Sequence, residues 1–500
     1  MREWPATVTD APRHPAIAGA TIFEPGDLLR ITARDLLRIT GGRALAIGSR
    51  SIRGGAVDSR RVARGNCFFA LPGERTDGQS FVGQAVERGA AAVVLRDVPE
   101  GGLLSTIRDG GRVTVVQLPD ALAALHAAAG AWRARFRPLV VGVTGTLAKT
   151  STKEQIAEVL SERWTVLRNQ GNENNEIGLP LTLLRLSQEH SAAVLEMGMY
   201  EPTDIQRLAA LARPSIGVVT AVRGTHISRA GSMEAIERGK AELVEALPAD
   251  GTAILNADDE RVLRMRSRTA ARVLTYGFDE SADVRALAPV SRGEEGMSFT
   301  LVTPAGDGQV RSPALGMHSV HNALAAAAVG IVAGLDLETI SRGLARPWSV
   351  PHRTVLLRAG DWRIIDDSYN AAPDSMIAAL DLLASLPGRR IAVLGEMMEL
   401  GDAALDDHQR VGRHAASSAD VIVTVGDGSA GIADGAIEAG AGRRAVHRAA
   451  DRSTALTLLA GLLGPGDVVL VKGSRGAALE MIVDDLVTAA GGLAGQPVAT

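Results

Sequence analysis

The amino-acid sequence predicts an α/β protein of three domains, and three observations carry that prediction. Short apolar runs alternate with helix-forming segments from about residue 50 to residue 490. Beyond Pro138 the runs "LVVGV", "AAVLEMG", "IGVVTAV" and "GTAILNA" are apolar almost throughout, as parallel strands buried on both faces must be. The 500 residues also exceed what one hydrophobic core usually spans.

Taken in order, residues 1–25 read as a flexible leader, and residues 26–137 as a small N-terminal α/β domain. There "DLLRIT" (Asp27–Thr32) recurs unchanged as Asp35–Thr40, too short a unit for a solenoid and best read as a local duplication. The strands "CFFAL", "AAAVVL" and "VTVVQL" follow, with "FVGQAVERGA" as a helix between them. Residues 138–348 form the largest unit, a doubly wound sheet with helices over Ser151–Arg163 and Ser232–Leu247. A more polar, strand-rich stretch (about 272–315) and an Ala-rich helix (321–334) close it. Residues 349–490 alternate again, in Rossmann-like fashion, through "WRIIDDS", "RIAVLGEM", "DVIVTVGDG" and "DVVLVKGS"; a tail occupies 491–500.

An apolar fraction of 46% and a mean hydropathy near zero fit a soluble protein. No uninterrupted apolar run approaches the ~18 residues of a membrane span, and "MREWPATVTDAPRHP" lacks the apolar core of a signal peptide. The single cysteine, Cys67, excludes an internal disulfide and fits a reducing cytoplasm. A net charge of −4 gives no support for a nucleic-acid partner. A cytoplasmic monomer without membrane insertion is expected.

The most informative stretch is "VVGVTGTLAKTSTKEQ" (140–155). A buried strand ends at Thr144 and Gly145 permits a tight turn through Thr146, Leu147 and Ala148. Lys149 can then reach phosphate oxygens, the Thr150 hydroxyl can ligate Mg²⁺, and Ser151 starts a helix whose N–H groups face an anion. This makes the central sheet one of P-loop type. Glycine is usual at position 148, so the strict loop pattern is broken there. A methyl is tolerable if φ is below zero and costly otherwise.

"TGTLAKTSTKE" resembles the loop T-G-[ST]-x-G-K-T-[ST]-T-K-[ED] of the Mur ligases, ATP-dependent amide-forming enzymes of peptidoglycan synthesis. "GNENNEIGLPLTLLRL" (171–186), "AAVLEMGMYEPTDIQRLAALARPSIGVVT" (192–220), "GSMEAIERGKAEL" (231–243) and "HSVHNALAAAAVG" (318–330) resemble the same family in the same order. So do "DDSYNAAPDSMIAALDLLA" (366–384), "RRIAVLGEMMELG" (389–401), "VLVKGSRG" (469–476) and, in the first domain, "DSRRVARGNCFFALPGERTDGQSF" (58–81). The branch that these motifs resemble most adds D-alanyl-D-alanine to UDP-N-acetylmuramoyl-tripeptide.

The resemblance implies that ATP converts a carboxylate to an acyl phosphate, which the incoming amine attacks. It assigns ATP to Gly145–Ser151, Asn322 at the adenine, Arg353 at the γ-phosphate and Asp367 at the ribose. Two Mg²⁺ sites fall to Thr150, Glu196, His226 and Lys240, with Lys240 carbamylated and so anionic; Lys149, His226 and Lys240 are the implied catalytic groups. By itself Lys240 reads as a solvated helix lysine. Ser59 and Arg60 are implied at the uridine end, Asn174 and Asn175 at the muramoyl side, and Ser368, Tyr369 and Asn370 at the dipeptide. Three departures from the family pattern, Ala372 for Asn, "GMYEP" for an Asn-His pair and Gln79 for His, keep one alternative open, and Ala148 in the phosphate loop keeps another. One is a paralogue using another amino acid or peptide; the other is an inactive nucleotide-binding regulator.

Overall fold

In the computed structural model the chain is described over residues 31–73, 76–99, 101–224 and 231–491. It is a mixed α/β protein with three sheets, the architecture expected. Two compact units emerge: residues up to 142 with 164–198 and 203–215, and residues 143–163, 199–202 and 216 onward. Among the described residues no helix is long and apolar enough to cross a membrane.

The first unit holds a five-stranded sheet of β1 (Arg43–Ala46), β2 (Gly55–Ala56), β3 (Cys67–Phe69), β4 (Ala92–Leu95) and β5 (Thr114–Gln117), in the order β1-β5-β4-β3-β2. Only β1 runs antiparallel to its neighbour. Phe68, Val93, Leu95 and Val115 meet Val82 and Ala85 of the helix Val82–Glu87 in one core. The second copy of the duplicated hexapeptide lies in the helix Ala33–Thr40, started by a capping box of Thr32 and Asp35. Four residues of the first copy, 27–30, lie outside the described residues.

β6 (Leu139–Thr144) begins in the first unit and ends in the second, while β7 (Val166–Arg168) and β8 (Ala192–Glu196) pair in parallel within the first. In the second unit β9 (Ile216–Val219), β10 (Thr252–Asn256), β11 (Arg272–Gly277) and β12 (Val284–Ser291) run parallel. β13 (Met297–Thr303) and β14 (Gly306–Ser312) extend them as an antiparallel meander. β13 alternates buried and half-buried residues, which is why this stretch reads as more polar.

The last sheet comprises β15 (Val355–Ala359), β16 (Trp362–Asp366), β17 (Arg390–Gly395), β18 (Val421–Val425), β19 (Val446–Ala449) and β20 (Val468–Lys472). Its order is β15-β16-β20-β17-β18-β19, parallel except for β15. Val468 and Leu470 enter one apolar cluster, Val469 and Val471 another, so helices cover both faces. That double burial explains the unbroken apolar run "VVLV". Because β16 and β20 pair, the loops after Asp366 and Lys472 lie side by side at the carboxyl edge, where open α/β sheets bind ligands.

Candidate active site

The phosphate loop is strapped to the segment that follows β9. Thr146 donates through its N–H and its hydroxyl to the Ala221 carbonyl (2.8 and 3.1 Å), and the Thr220 hydroxyl donates to the Leu147 carbonyl (2.6 Å). Gly145 has φ 146°, and a Cβ there would overlap the Thr220 hydroxyl, so no other residue fits this turn. Ala148 has φ 61°, so of the two cases set out for the methyl the costly one holds. The left-handed conformation costs an L-residue about 1–2 kcal/mol, and here the surrounding hydrogen bonds impose it. The helix Lys149–Ser161 begins there with no capping side chain, which leaves its N-terminus to an anion. The Lys149 ammonium donates to the Thr146 carbonyl (3.3 Å), Thr150 is buried, and Lys153 is fully buried and paired with Glu154 at 2.8 Å.

A cavity of about 510 Å³, a typical size for a ligand site, opens beside this helix. Ser151, His318, Asn322, Trp348 and Arg353 line it. Asn322, on the helix Met317–Val332, accepts from the Thr152 hydroxyl (3.0 Å), which fixes the orientation of its amide. His318 Nδ1 and Trp348 Nε1 are buried and lack hydrogen-bond partners among the described residues. Burial holds the His318 pKa below the usual histidine value, against the attraction of Asp367. Buried polar atoms of this kind are completed by water or by a bound molecule.

Arg353 stands between His352 and Thr354, both at positive φ (63° and 52°), in the segment leading to β15. Its guanidinium lies 4.1 Å from the Tyr369 ring centre, and that of Arg475 5.2 Å, with Arg475 also donating to the Tyr369 hydroxyl (3.0 Å). Asp367 accepts from the Thr354 N–H (3.0 Å) and pairs with the buried Lys472 (2.7 Å), which also donates to the Asn370 carbonyl (2.9 Å). Ser368 is fully buried and donates to Asp366 (2.6 Å). At position 372, where the family pattern has Asn, the Ala372 N–H donates to the Ser375 hydroxyl instead (3.0 Å).

In the first unit Glu196 ends β8, buried, with one carboxylate oxygen accepting from the Asn174 amide (2.7 Å). Asn169 holds the Glu196 backbone through both its N–H and its carbonyl (3.0 Å each). Asn175 accepts from the N–H of Gly178 (2.9 Å), the first residue of the next helix. Ser59 is buried and donates to Gln84 (2.5 Å), whereas Arg60 is exposed and paired with Asp58 (2.8 Å). Gln79 accepts from the N–H groups of Arg96 and Asp97 (3.0 and 2.6 Å).

Lys240, on the helix Met233–Glu245, is only 4% exposed, so the solvated-lysine reading is wrong for it. Burying a lysine ammonium is costly unless it is paired or converted, so this position is held by its surroundings and not by solvent. His226 lies outside the described residues. Among those described, no cluster of three or more His, Cys, Asp or Glu forms a ready-made metal cage. Hard oxygen donors such as Glu196 and Thr150 fit Mg²⁺, which takes one or two protein ligands and completes its shell with phosphate and water. His318, Trp348, Lys472 and Arg475 join these sites without having been singled out from the sequence. Lys472 was recoverable, since a lysine ending an apolar strand carries the same signal as Glu196.

The chain matches the Mur ligase middle domain over residues 143–330, the glutamate ligase domain of the Mur ligases over 352–475 and the Mur ligase catalytic domain over 47–129. It is 38% identical to the UDP-N-acetylmuramoyl-tripeptide–D-alanyl-D-alanine ligase of Mycobacterium tuberculosis, spanning 92% of this chain and 98% of that one. The Escherichia coli enzyme of the same name is 35% identical, over 85% and 92% of the two chains. The crystal structure of MurF from Acinetobacter baumannii superposes with a TM-score of 0.81 at 29% identity, covering 92% of this chain and 99% of that chain. MurF ligase from Thermotoga maritima in complex with ADP gives 0.76 at 25% identity, over 88% and 98%. With sequence motifs, family models and relatives in agreement, the chain belongs to the Mur ligase family.

Proposed function

We propose that this protein is an ATP-dependent ligase joining D-alanyl-D-alanine to the tripeptide carboxylate of UDP-N-acetylmuramoyl-tripeptide, in peptidoglycan precursor synthesis in the cytoplasm. The observation that carries this reading is the 38% identity to the Mycobacterium tuberculosis ligase of that name over 92% of this chain, and the cavity beside the phosphate loop, with Ser151 in its wall, supports the nucleotide part of it. Adenine occupies that cavity against Asn322, Asp367 serves the ribose, and the triphosphate runs along Gly145–Thr150. Residues 26–137 bind the UDP-substrate, with Ser59 and Arg60 at the uridine and Asn174 and Asn175 contributing from the central domain. Residues 138–348 hold the nucleotide, and 349–490 bring the amine.

The chemistry proceeds in two steps. A tripeptide carboxylate oxygen attacks the γ-phosphorus and ADP leaves, giving an acyl phosphate. The dipeptide amine then attacks the acyl carbon and inorganic phosphate departs with the C–O electrons. Both steps gather negative charge, which Lys149 and Arg353 offset electrostatically. Thr150, Glu196, His226 and a carbamylated Lys240 would hold Mg²⁺, which supplies further neutralisation of the phosphates. The strained pair His352 and Thr354 flanks Arg353 where backbone adjustment can swing it toward the γ-phosphate. Tyr369, beside two guanidiniums, and Asn370 face the dipeptide.

An isotope experiment tests the mechanism. With ¹⁸O in the tripeptide carboxylate, each turnover should deliver one ¹⁸O to the released phosphate. Phosphate free of label would rule out the acyl phosphate.

A further inference from the structure

One contact links the phosphate loop to the last sheet through a residue with no role so far. The Arg223 N–H donates to the Thr146 hydroxyl (2.9 Å), so its backbone belongs to the strap that shapes the loop. Its guanidinium pairs with Asp259, a buried carboxylate that also accepts from the Val222 N–H (2.8 Å) and caps the helix Glu260–Arg264. The same guanidinium reaches Asp374 through Nε (3.2 Å). Asp374 stands in the first turn of the helix Pro373–Ser385, shortly after the Ser368–Asn370 loop assigned to the amine.

The first two contacts fix Arg223 relative to the phosphate loop, and the buried Asp259 prevents the side chain from drifting. The third is the only one directed at the amine-bearing part of the chain. Asp374 has a second partner, Arg410 (3.4 Å), but that arginine belongs to the same helical layer and cannot transmit a position from the loop. We infer that Arg223 is a positioning residue: through Asp374 it registers the amine site on the phosphate loop, so that the amine meets the acyl phosphate at attack distance. This rests on the ligase reading above.

Near-attack geometry is sensitive to displacements of about 1 Å. The Arg223–Asp374 pair is, however, about 40% exposed on both sides, so its own strength is modest. Loss of the link should therefore act on the amine and hardly on the nucleotide.

Steady-state ligation by the whole chain tests this, with D-alanyl-D-alanine varied and then ATP varied. Wild type, Arg223→Ala, Asp374→Asn, their double variant and Arg410→Gln are compared. Either single variant should raise the dipeptide KM about three- to fivefold, as expected for an exposed pair. The double variant should be no worse than either single one, because both remove one link. The KM for ATP should stay within about twofold in all, the usual scatter for uncoupled sites. Arg410→Gln should match wild type, since it breaks only the local pair. An unchanged dipeptide KM in Asp374→Asn, or effects that multiply in the double variant, overturns the proposal. Asp374→Asn decides alone should Arg223→Ala fail to fold, because Asp374 is surface-exposed. A wild-type chain that ligates no dipeptide overturns the ligase reading, and this inference with it.

Discussion

The nucleotide cavity and the loop at residues 366–370 differ in how their polar groups are satisfied. In the cavity, His318 Nδ1 and Trp348 Nε1 are buried without partners among the described residues, a desolvation cost that a bound molecule or water relieves. In the loop, Ser368 is bonded to Asp366, Asp367 to Lys472 and Thr354, and Tyr369 to Arg475. The first is built to be completed by a bound molecule; the second is built to hold its own shape. A residue's chemistry alone does not distinguish the two, because a serine in a site motif can serve as scaffold as readily as contact.

Substitutions can break or sharpen this contrast. The largest effect is expected from Lys149→Ala, which removes a charge opposing the triphosphate; ligation should fall about 10²–10³-fold, as for other electrostatic stabilisers. Near wild-type turnover in a phosphate-release assay would remove the loop from the mechanism. Lys240→Ala should also depress ligation strongly, and acetate should restore part of the rate by replacing the lost carbamate. Acetate should do nothing for Lys149→Ala, whose lost group is a cation. Full activity of Lys240→Ala in CO₂-depleted buffer would dismiss the carbamate.

The next pair contrasts the two regions directly. Ser368→Ala should lower stability by about 1–3 kcal/mol, since it strips a buried carboxylate of a donor. Trp348→Phe removes a donor that has no partner, so the apo protein should lose less than about 0.5 kcal/mol, while ADP binding weakens. Calorimetric melts with and without ADP separate these outcomes, and a reversed pattern would mean that the cavity is the scaffold.

His318 adds a pH test. Its pKa is lowered in the fold, so the unfolded chain binds more protons than the native chain below about 6.5, the ordinary histidine value. Stability from this group is complete above that pH and declines as pH falls toward the folded pKa. Melting temperature should therefore drop less on acidification in His318→Asn than in wild type.

The smallest effect belongs to Ala148→Gly. Relief of the left-handed strain should stabilise the chain by about 1 kcal/mol, partly offset by the greater freedom of glycine when unfolded. Activity should stay within about tenfold, or 1.4 kcal/mol. A complete loss would give the alanine a role of its own.

Much of this was legible in the sequence because burial on both faces and tight turns leave strong local marks. The runs "LVVGV" and "VVLV" announced strands covered by helices, and Gly145 announced a turn that the Thr220 hydroxyl makes obligatory. The helix expected over 321–334 spans Met317–Val332, beginning earlier because its first turn holds His318 and the buried Ser319, polar residues that give no helical signal. Trp348 and Arg223 could not be read, because the other residues of the Trp348 cavity and the Asp374 partner of Arg223 lie far off in sequence and only the fold unites them. The burial of Lys240 was likewise hidden, as a lysine beside two glutamates normally faces water.

The account is tested most directly by offering the purified chain ATP, Mg²⁺ and UDP-N-acetylmuramoyl-tripeptide with either D-alanyl-D-alanine or single amino acids, and weighing the products by mass spectrometry. It predicts that the dipeptide yields UDP-N-acetylmuramoyl-pentapeptide with equimolar ADP and phosphate, while single amino acids yield almost nothing. A product formed preferentially from a single amino acid, or no ATP turnover with any amine, would contradict it.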